Sequence, residues 1–256
     1  MSNEVLTEIA DGIMTDRFNR PEKKNALTQT MYGTVAEALQ SADERDDVRV
    51  ILLTGGGDCF TAGNDLNDFL NNPPRGEDTP VSRFLKGLTR TRTPIVAAVN
   101  GVAVGVGTTM LLHCDLVYAG EGATLHMPFV NLGLVPEAGS SLLLPALIGQ
   151  QRAAELLMLG EPFDAATAER YGIVNRVCAD AETESVAQGV AARLAAKPPE
   201  ALRQTKDLLR HGQGERLRER MQLESGHFTE RLKSPEAREA MQAIMERREP
   251  DFSQFS

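Results

Sequence analysis

The sequence predicts an α/β fold in which strand–strand–helix units wind into a core and a helical C-terminal part follows. Three observations carry that expectation. Short apolar runs at 48–53, 95–99 and within DLVYAG suit strands buried on both faces. Glycine turns follow the first two, and helix-patterned stretches lie between the runs, which is the rhythm of crossover units. Beyond Gln150 the chain turns largely to helix formers and charge, so a core over 1–195 and a helical part over 196–256 are expected. A part of that kind suits packing on a partner subunit.

In chain order, EVLTEIADGIMTDRF reads as two short strands around Asp11-Gly12, a hairpin signal. NRPEKKNAL is a loop. From Thr28 a helix begins, with Met31, Val35, Leu39 and Ala42 on one face. The 48–53 strand is halted by Gly55, Gly56 and Gly57, and NNPPRGEDTP is a breaker-rich loop before a helix over 82–90. GVAVGVGTTMLLHC runs from glycine punctuation into helix, and ATLHM reads as a fourth strand. A short helix capped by Asp164 ends at Gly172, and IVNRVC is a last strand. The helix in AETESVAQGVAARLAAK is stopped by Pro198-Pro199, and three more helices follow: EALRQTKDLLRHG, 215–232 and 235–248.

The 256 residues, 41% of them apolar, are enough for a sizeable core, and the net charge of −9 excludes a basic nucleic-acid footprint. It also gives no general attraction to an anionic membrane. An anionic ligand needs local basic groups, and Arg20, Lys23 and Lys24 form the earliest such cluster. Three widely spaced cysteines, Cys59, Cys114 and Cys178, indicate neither a zinc site nor a disulfide framework. No run of about 18 apolar residues suggests a membrane span. The acid-bearing opening MSNEVLTEIADG lacks a signal-peptide apolar region, so a cytoplasmic setting is expected.

Familiar motifs fail on inspection. In GVAVGVGTTM a dinucleotide fingerprint breaks because Met110 stands where the third glycine belongs, and no Gly-Lys-Ser/Thr follows. What remains is geometric: glycines between a strand and a helix let peptide N–H groups face an anionic atom, or simply make a tight turn. FTAGNDL has the same setting, and Asp65 and Asp68 there read as first-turn caps in preference to a catalytic carboxylate pair. EAGSSL lacks the second glycine of a serine elbow. His113, His126, His211 and His227 show no ligand spacing, so no metal is indicated, and His126 reads as a packed core residue.

Glu137, in NLGLVPEAGSS, has two readings. It is a first-turn helix acid behind Pro136, or a general base in a pocket made by Leu132, Leu134, Val135 and Ala138. Burial raises its pKa and a helix dipole lowers it, and sequence does not decide between them.

At these residues the chain resembles the enoyl-CoA hydratase/isomerase family, also called the crotonase family. NRPEKKNAL, with Lys23, Ala26 and Leu27, resembles its opening coenzyme A segment. FTAGNDL, with Ala62, Gly63, Asn64, Asp65 and Leu66, resembles its first oxyanion segment, and NGVAVGVGTTMLLHCDLVYA, with Gly105, Val106 and Gly107, its second. GEPFDAATAERYGIVNRV, AAKPPEALRQTKDLLR and SPEAREAMQAIMERREPDF resemble downstream segments, in family order. The resemblance implies a crotonase-like spiral of ββα units with a helical C-terminal part that forms trimers or dimers of trimers. It implies an acyl-CoA thioester substrate and no separate cofactor, since coenzyme A enters as part of the thioester. It also implies that the peptide N–H groups of Asn64 and Val106 hold the thioester oxygen, where the loss of one donor costs roughly 3 kcal/mol.

The departures sharpen the expectation. Hydratases of the family activate water between two glutamates, and here those positions read Thr109 and Phe129. Some Δ3,Δ2-enoyl-CoA isomerases carry one acid further along, in a segment that VPEAGSS resembles with Glu137. The expected reaction is therefore a 3-enoyl to 2-enoyl shift, with hydration or simple acyl-CoA binding as the alternatives.

Overall fold

A computed structural model describes residues 3–72 and 78–255. The breaker-rich loop expected over 71–80 therefore lies partly outside the described residues, at 73–77.

The chain opens with the expected hairpin, β1 (Val5–Ala10) and β2 (Ile13–Phe18), antiparallel from Val5↔Phe18 to Ala10↔Ile13. Asp11 and Gly12 have φ of 51° and 79°, as a two-residue turn that matches strand twist demands. The Thr28 hydroxyl accepts from Met31 N at 3.2 Å and starts α1 (Gln29–Glu44), which buries Met31, Tyr32, Val35, Leu39 and Ala42. The chain then runs through β3 (Val50–Gly55), β4 (Cys59–Thr61), α2 (Leu66–Asn71) and α3 (Pro80–Arg90). Next come β5 (Ile95–Val99), β6 (Val102–Val104), α4 (Val106–Thr109), β7 (Leu116–Gly120) and β8 (Thr124–His126).

These strands fill two sheets in alternation. The first has the order β1-β2-β3-β5-β7-β10, where β10 is Arg176–Cys178, and it is parallel from β2 onward. The second has the order β4-β6-β8-β9, where β9 is Phe163–Asp164. Each central strand of the first sheet crosses a short turn into a strand of the second, and this produces the spiral. The crossings are tight. A Cβ on Gly101, whose φ is 86°, would lie 2.1 Å from the Asp58 carbonyl, and the Asn100 amide ties this turn to Gly55 O at 2.8 Å.

β4, β6 and β9 differ from the sequence expectation. Val102–Val104 is a strand where glycine punctuation leading to helix was expected, and the helix beyond it is one α turn followed by a 3-10 turn, Met110–His113. Strands of two or three residues leave no readable alternation.

The main apolar core lies between the sheets and α1, around Phe18, Met31, Ile51, Leu53, Phe60 and Ile95. A second cluster covers the other face of the first sheet, where Val50, Leu52, Val96 and Ala98 meet Ala187 and Ala191. β3 and β5 are thus buried on both sides, as their unbroken apolar runs require.

The helices that follow are α5 (Ser140–Ile148), α6 (Gln150–Ala154), α7 (Ala165–Arg170), α8 (Thr183–Ala195), α9 (Pro199–Leu209), α10 (Gly214–Arg231) and α11 (Pro235–Glu246). Buried Lys206 pins α9 to the core, donating to Thr93 O and Asp115 Oδ2 at 2.7 Å each. Among the described residues no helix is long and apolar enough to cross a membrane.

Candidate active site

The end of β4 delivers the turn Ala62-Gly63-Asn64. Gly63 has φ of 85°, and a Cβ there would lie 2.7 Å from Val104 O, so only glycine lets this turn press against β6. Leu27 brackets the next residue: its N–H donates to Gly63 O at 2.7 Å, and its carbonyl accepts from Asp65 N at 2.9 Å. Among the described residues no backbone acceptor takes the Asn64 N–H. The Asn64 side chain is not idle either. Its Oδ1 accepts from the Tyr32 hydroxyl at 2.5 Å. Burial, with the Glu137 charge adding, holds the Tyr32 pKa well above its usual value, so the phenol keeps its proton.

Asp65 caps α2, as expected, whereas Asp68 lies within that helix and serves the start of α1 instead. Asp65 Oδ1 accepts from Asp68 N at 3.0 Å, and Asp68 Oδ2 accepts from Gln29 N at 2.7 Å. Burial opposes ionisation of Asp65, but the Asp68 N–H and Arg20, 3.1 Å away, outweigh it and lower its pKa.

The second turn leaves β6 at Gly105, whose N–H donates to His126 O at 2.8 Å. Val106 opens α4, so its N–H has no partner within the helix. Gly107 faces Thr61, where a Cβ would stand 2.6 Å from Cγ2. The Thr109 hydroxyl donates a short hydrogen bond to Glu137 Oε1.

The first-turn reading of Glu137 is corrected by the structure. α5 begins at Ser140, and Ala138 and Gly139 have φ of 58° and 73°, so the helix cannot extend back through them. A left-handed Ala costs on the order of 1 kcal/mol. Two remote groups hold this turn. His113 Nε2 donates to Ala138 O at 2.7 Å, and burial first, with nearby Arg210, lowers its pKa to about 4 against that bond, so the ring is neutral. From α10, Glu224 Oε2 accepts from Gly139 N at 2.6 Å, and Oε1 accepts from Ser141 N at 3.0 Å and Ser141 Oγ at 2.6 Å. The Glu137 carboxyl thereby faces a cavity of about 520 Å³. Burial raises its pKa from 4.5 to about 7, with the Glu224 charge adding and the Thr109 hydroxyl opposing. The two influences left open by sequence resolve in favour of burial.

The cavity gathers most of the expected residues. Lys23 and Ala26 reach its wall from the opening loop, Ala62 through Leu66 from the first turn, and Gly105 and Val106 from the second. Phe129 and Glu137 join them, while Leu27, Gly107 and Thr109 stand behind and support the wall. Lys24 pairs instead with Asp58, both carboxylate oxygens at 3.0 Å. His126 is corrected as well. It is half-buried on the cavity wall, and its Nε2 donates to Gly160 O at 2.7 Å. Sequence reasoning missed Tyr32, His113 and Glu224. It also missed the apolar wall that Phe228, Met241 and Ile244 bring from the C-terminal helices. Of these, Tyr32 alone carried a signal, as a polar tip on the buried stripe of α1.

Comparison with known proteins gives a consistent picture. A family profile described as enoyl-CoA hydratase/isomerase matches residues 8–255. The Escherichia coli K12 protein named 1,2-epoxyphenylacetyl-CoA isomerase is 34% identical over 261 residues, covering 99% of each chain. Human enoyl-CoA delta isomerase 2 is 36% identical over 214 residues, 81% of this chain, and the chain spans 54% of that protein. The crystal structure of an enoyl-CoA hydratase/isomerase from Pseudoalteromonas atlantica T6c matches with a TM-score of 0.94 at 42% identity, over 97% of this chain and 99% of that one.

Proposed function

The chain belongs to the enoyl-CoA hydratase/isomerase family, a family of acyl-CoA-processing enzymes, and from that premise we propose that it shifts the double bond of a 3-enoyl-CoA to the 2-enoyl position. One observation carries the reading. Among the described residues the cavity wall holds two carboxyl groups, Asp65 and Glu137, and Asp65 is engaged by Arg20 and a helix N–H, which leaves Glu137 as the acid open to a substrate.

The thioester oxygen would sit between the N–H groups of Asn64 and Val106. Ionised Glu137 takes a proton from C2, and the C2–H electron pair becomes the C1–C2 double bond of a dienolate as the C1–O π pair moves onto oxygen. Negative charge builds on the thioester oxygen, where the preset donors meet it. The C3–C4 double bond stays until Glu137 returns the proton at C4. Its pair then forms the new C4–H bond, the C1–C2 pair becomes the C2–C3 double bond and the carbonyl re-forms, which gives the conjugated 2-enoyl thioester with no net change in atoms. A base with a pKa of about 7 is poised for both halves of this transfer. The apolar wall from Phe129, Phe228 and Met241 excludes water and so opposes hydration of the product. Hydration of a 2-enoyl-CoA is the rival reaction. It calls for a second water-activating carboxyl, and Thr109 and Phe129 supply none. Self-association, expected as a trimer or a dimer of trimers, draws support from Leu208 and Leu209 on α9, each 74% exposed and so free to meet an apolar partner.

Side-by-side turnover on 3-enoyl and 2-enoyl thioesters of several acyl lengths tests the proposal. Formation of the conjugated thioester from the 3-enoyl substrate is expected. Faster formation of 3-hydroxyacyl-CoA from the 2-enoyl substrate would replace isomerase with hydratase. Binding of both without turnover would replace it with a binding protein.

A further inference from the structure

We propose that Glu224 is a positioning residue for Glu137: its carboxylate reaches from α10 and clamps the 138–141 turn so that the Glu137 carboxyl stays against the cavity. The inference rests on Glu137 being the acid/base and concerns what keeps it there.

Glu224 is 5% exposed, in a helix that buries little else. A carboxylate at such a position is rare unless it is satisfied. Here it is: the Gly139 N–H, the Ser141 N–H and the Ser141 hydroxyl all donate to it, and both oxygens are used. Burial raises the Glu224 pKa above its usual value, and the Ser141 hydroxyl, the two peptide N–H groups and nearby Arg220 act against that and favour the ionised form. These bonds reach residues two and four positions beyond Glu137. They also hold the turn in the left-handed conformation that Ala138 disfavours. His113 fixes the carbonyl of Ala138 as well. Released from the clamp, the 137–139 turn would relax, and the acid would lose its place relative to the Asn64 and Val106 donors.

The clamp has an electrical side too, because its negative charge acts on Glu137. The other groups facing the pair are Arg220, which donates to Ser141 Oγ at 3.2 Å, neutral His113, the Thr109 hydroxyl and protonated Tyr32. Glu224→Gln keeps one acceptor, sets an NH2 group against a peptide N–H, and removes the charge. Positioning by Glu224 thus couples the C-terminal helices to the chemistry.

The test compares Glu224→Gln, Ser141→Ala and Glu137→Gln in steady-state assays with a 3-enoyl-CoA from pH 5 to about 9, beside melting curves. Glu224→Gln should lower kcat by roughly 100-fold with KM little changed, as misplacement of a reacting group by about 1 Å does. Its kcat limb should also move to lower pH, because Glu137 loses a like-charged neighbour, and a merely structural residue would not move that limb. Ser141→Ala keeps the Glu224 charge and should lower kcat several-fold with the limb in place. It carries the test if Glu224→Gln does not fold. A Glu224→Gln protein with lower melting temperature but wild-type kcat and an unmoved limb overturns the proposal, as does Ser141→Ala with wild-type kcat. Wild-type kcat in Glu137→Gln would instead overturn the acid/base reading, and the clamp's catalytic meaning with it.

Discussion

Two carboxyl groups line the same cavity from different turns, Asp65 after the first glycine turn and Glu137 ahead of α5. Their surroundings push them in opposite directions. Asp65 caps a helix and faces Arg20, and its pKa falls below its usual value. Among the described residues no cation stands against Glu137, which has apolar walls, one hydroxyl and a second carboxylate nearby, and its pKa rises to about 7. The residue types are equivalent in chemistry, and the partners decide which one is fixed structure and which is able to exchange a proton.

The contrast can be broken most forcefully at Glu137. Glu137→Gln should lower isomerisation kcat by about 10²–10⁴-fold with acyl-CoA binding nearly intact, measured by turnover and by titration with a substrate analogue. The same variant should be more stable than the wild type above pH 7. A carboxyl whose folded pKa is raised contributes stability that is complete below 4.5 and is lost as pH rises toward about 7. Melting curves should therefore show a gain of up to about 3 kcal/mol at pH 8 that shrinks toward pH 5. An equal stability at both pH values would mean that burial does not strain this acid.

Thr109→Val sharpens the comparison by removing a donor that stabilises ionised Glu137. The pH–rate limb should move to higher pH, with several-fold less activity at pH 7, and an unmoved limb would mean that the hydroxyl is idle. Tyr32→Phe removes the donor to Asn64 Oδ1 and leaves that oxygen unpaired, a loss of about 1–3 kcal/mol in stability with a several-fold drop in kcat. Asp65→Asn has the smallest expected effect. The cap survives and the Arg20 pair does not, so stability should fall by about 1 kcal/mol with little change in the pH–rate limb. The Asp65 contribution is present above the ordinary carboxylate pKa and is lost as pH falls through its depressed folded value, so the deficit should vanish in acid.

Much of this was legible in sequence, and the exceptions have a common cause. Unbroken apolar runs mark β3 and β5 because both faces of these strands are buried. Glycines at 63, 101 and 105 mark turns where backbone meets backbone or takes positive φ, and a lone acid among apolar residues marks Glu137. Strands of two or three residues are too short to show a period. The groups that complete the site act over distance: Tyr32 reaches 32 residues to Asn64, His113 reaches 25 to Ala138, and Glu224 reaches 85 back to Gly139. No local pattern encodes such pairings, and within α10 Glu224 is one charged residue among many.

The pH dependence of kcat/KM for a 3-enoyl-CoA tests the central claim most directly, because it reads the protonation of the working acid in the free enzyme. The burial of Glu137 predicts activity that rises with pH through a single limb near 7. A limb at the ordinary carboxylate value, or a profile flat from pH 5 to about 9, would contradict it.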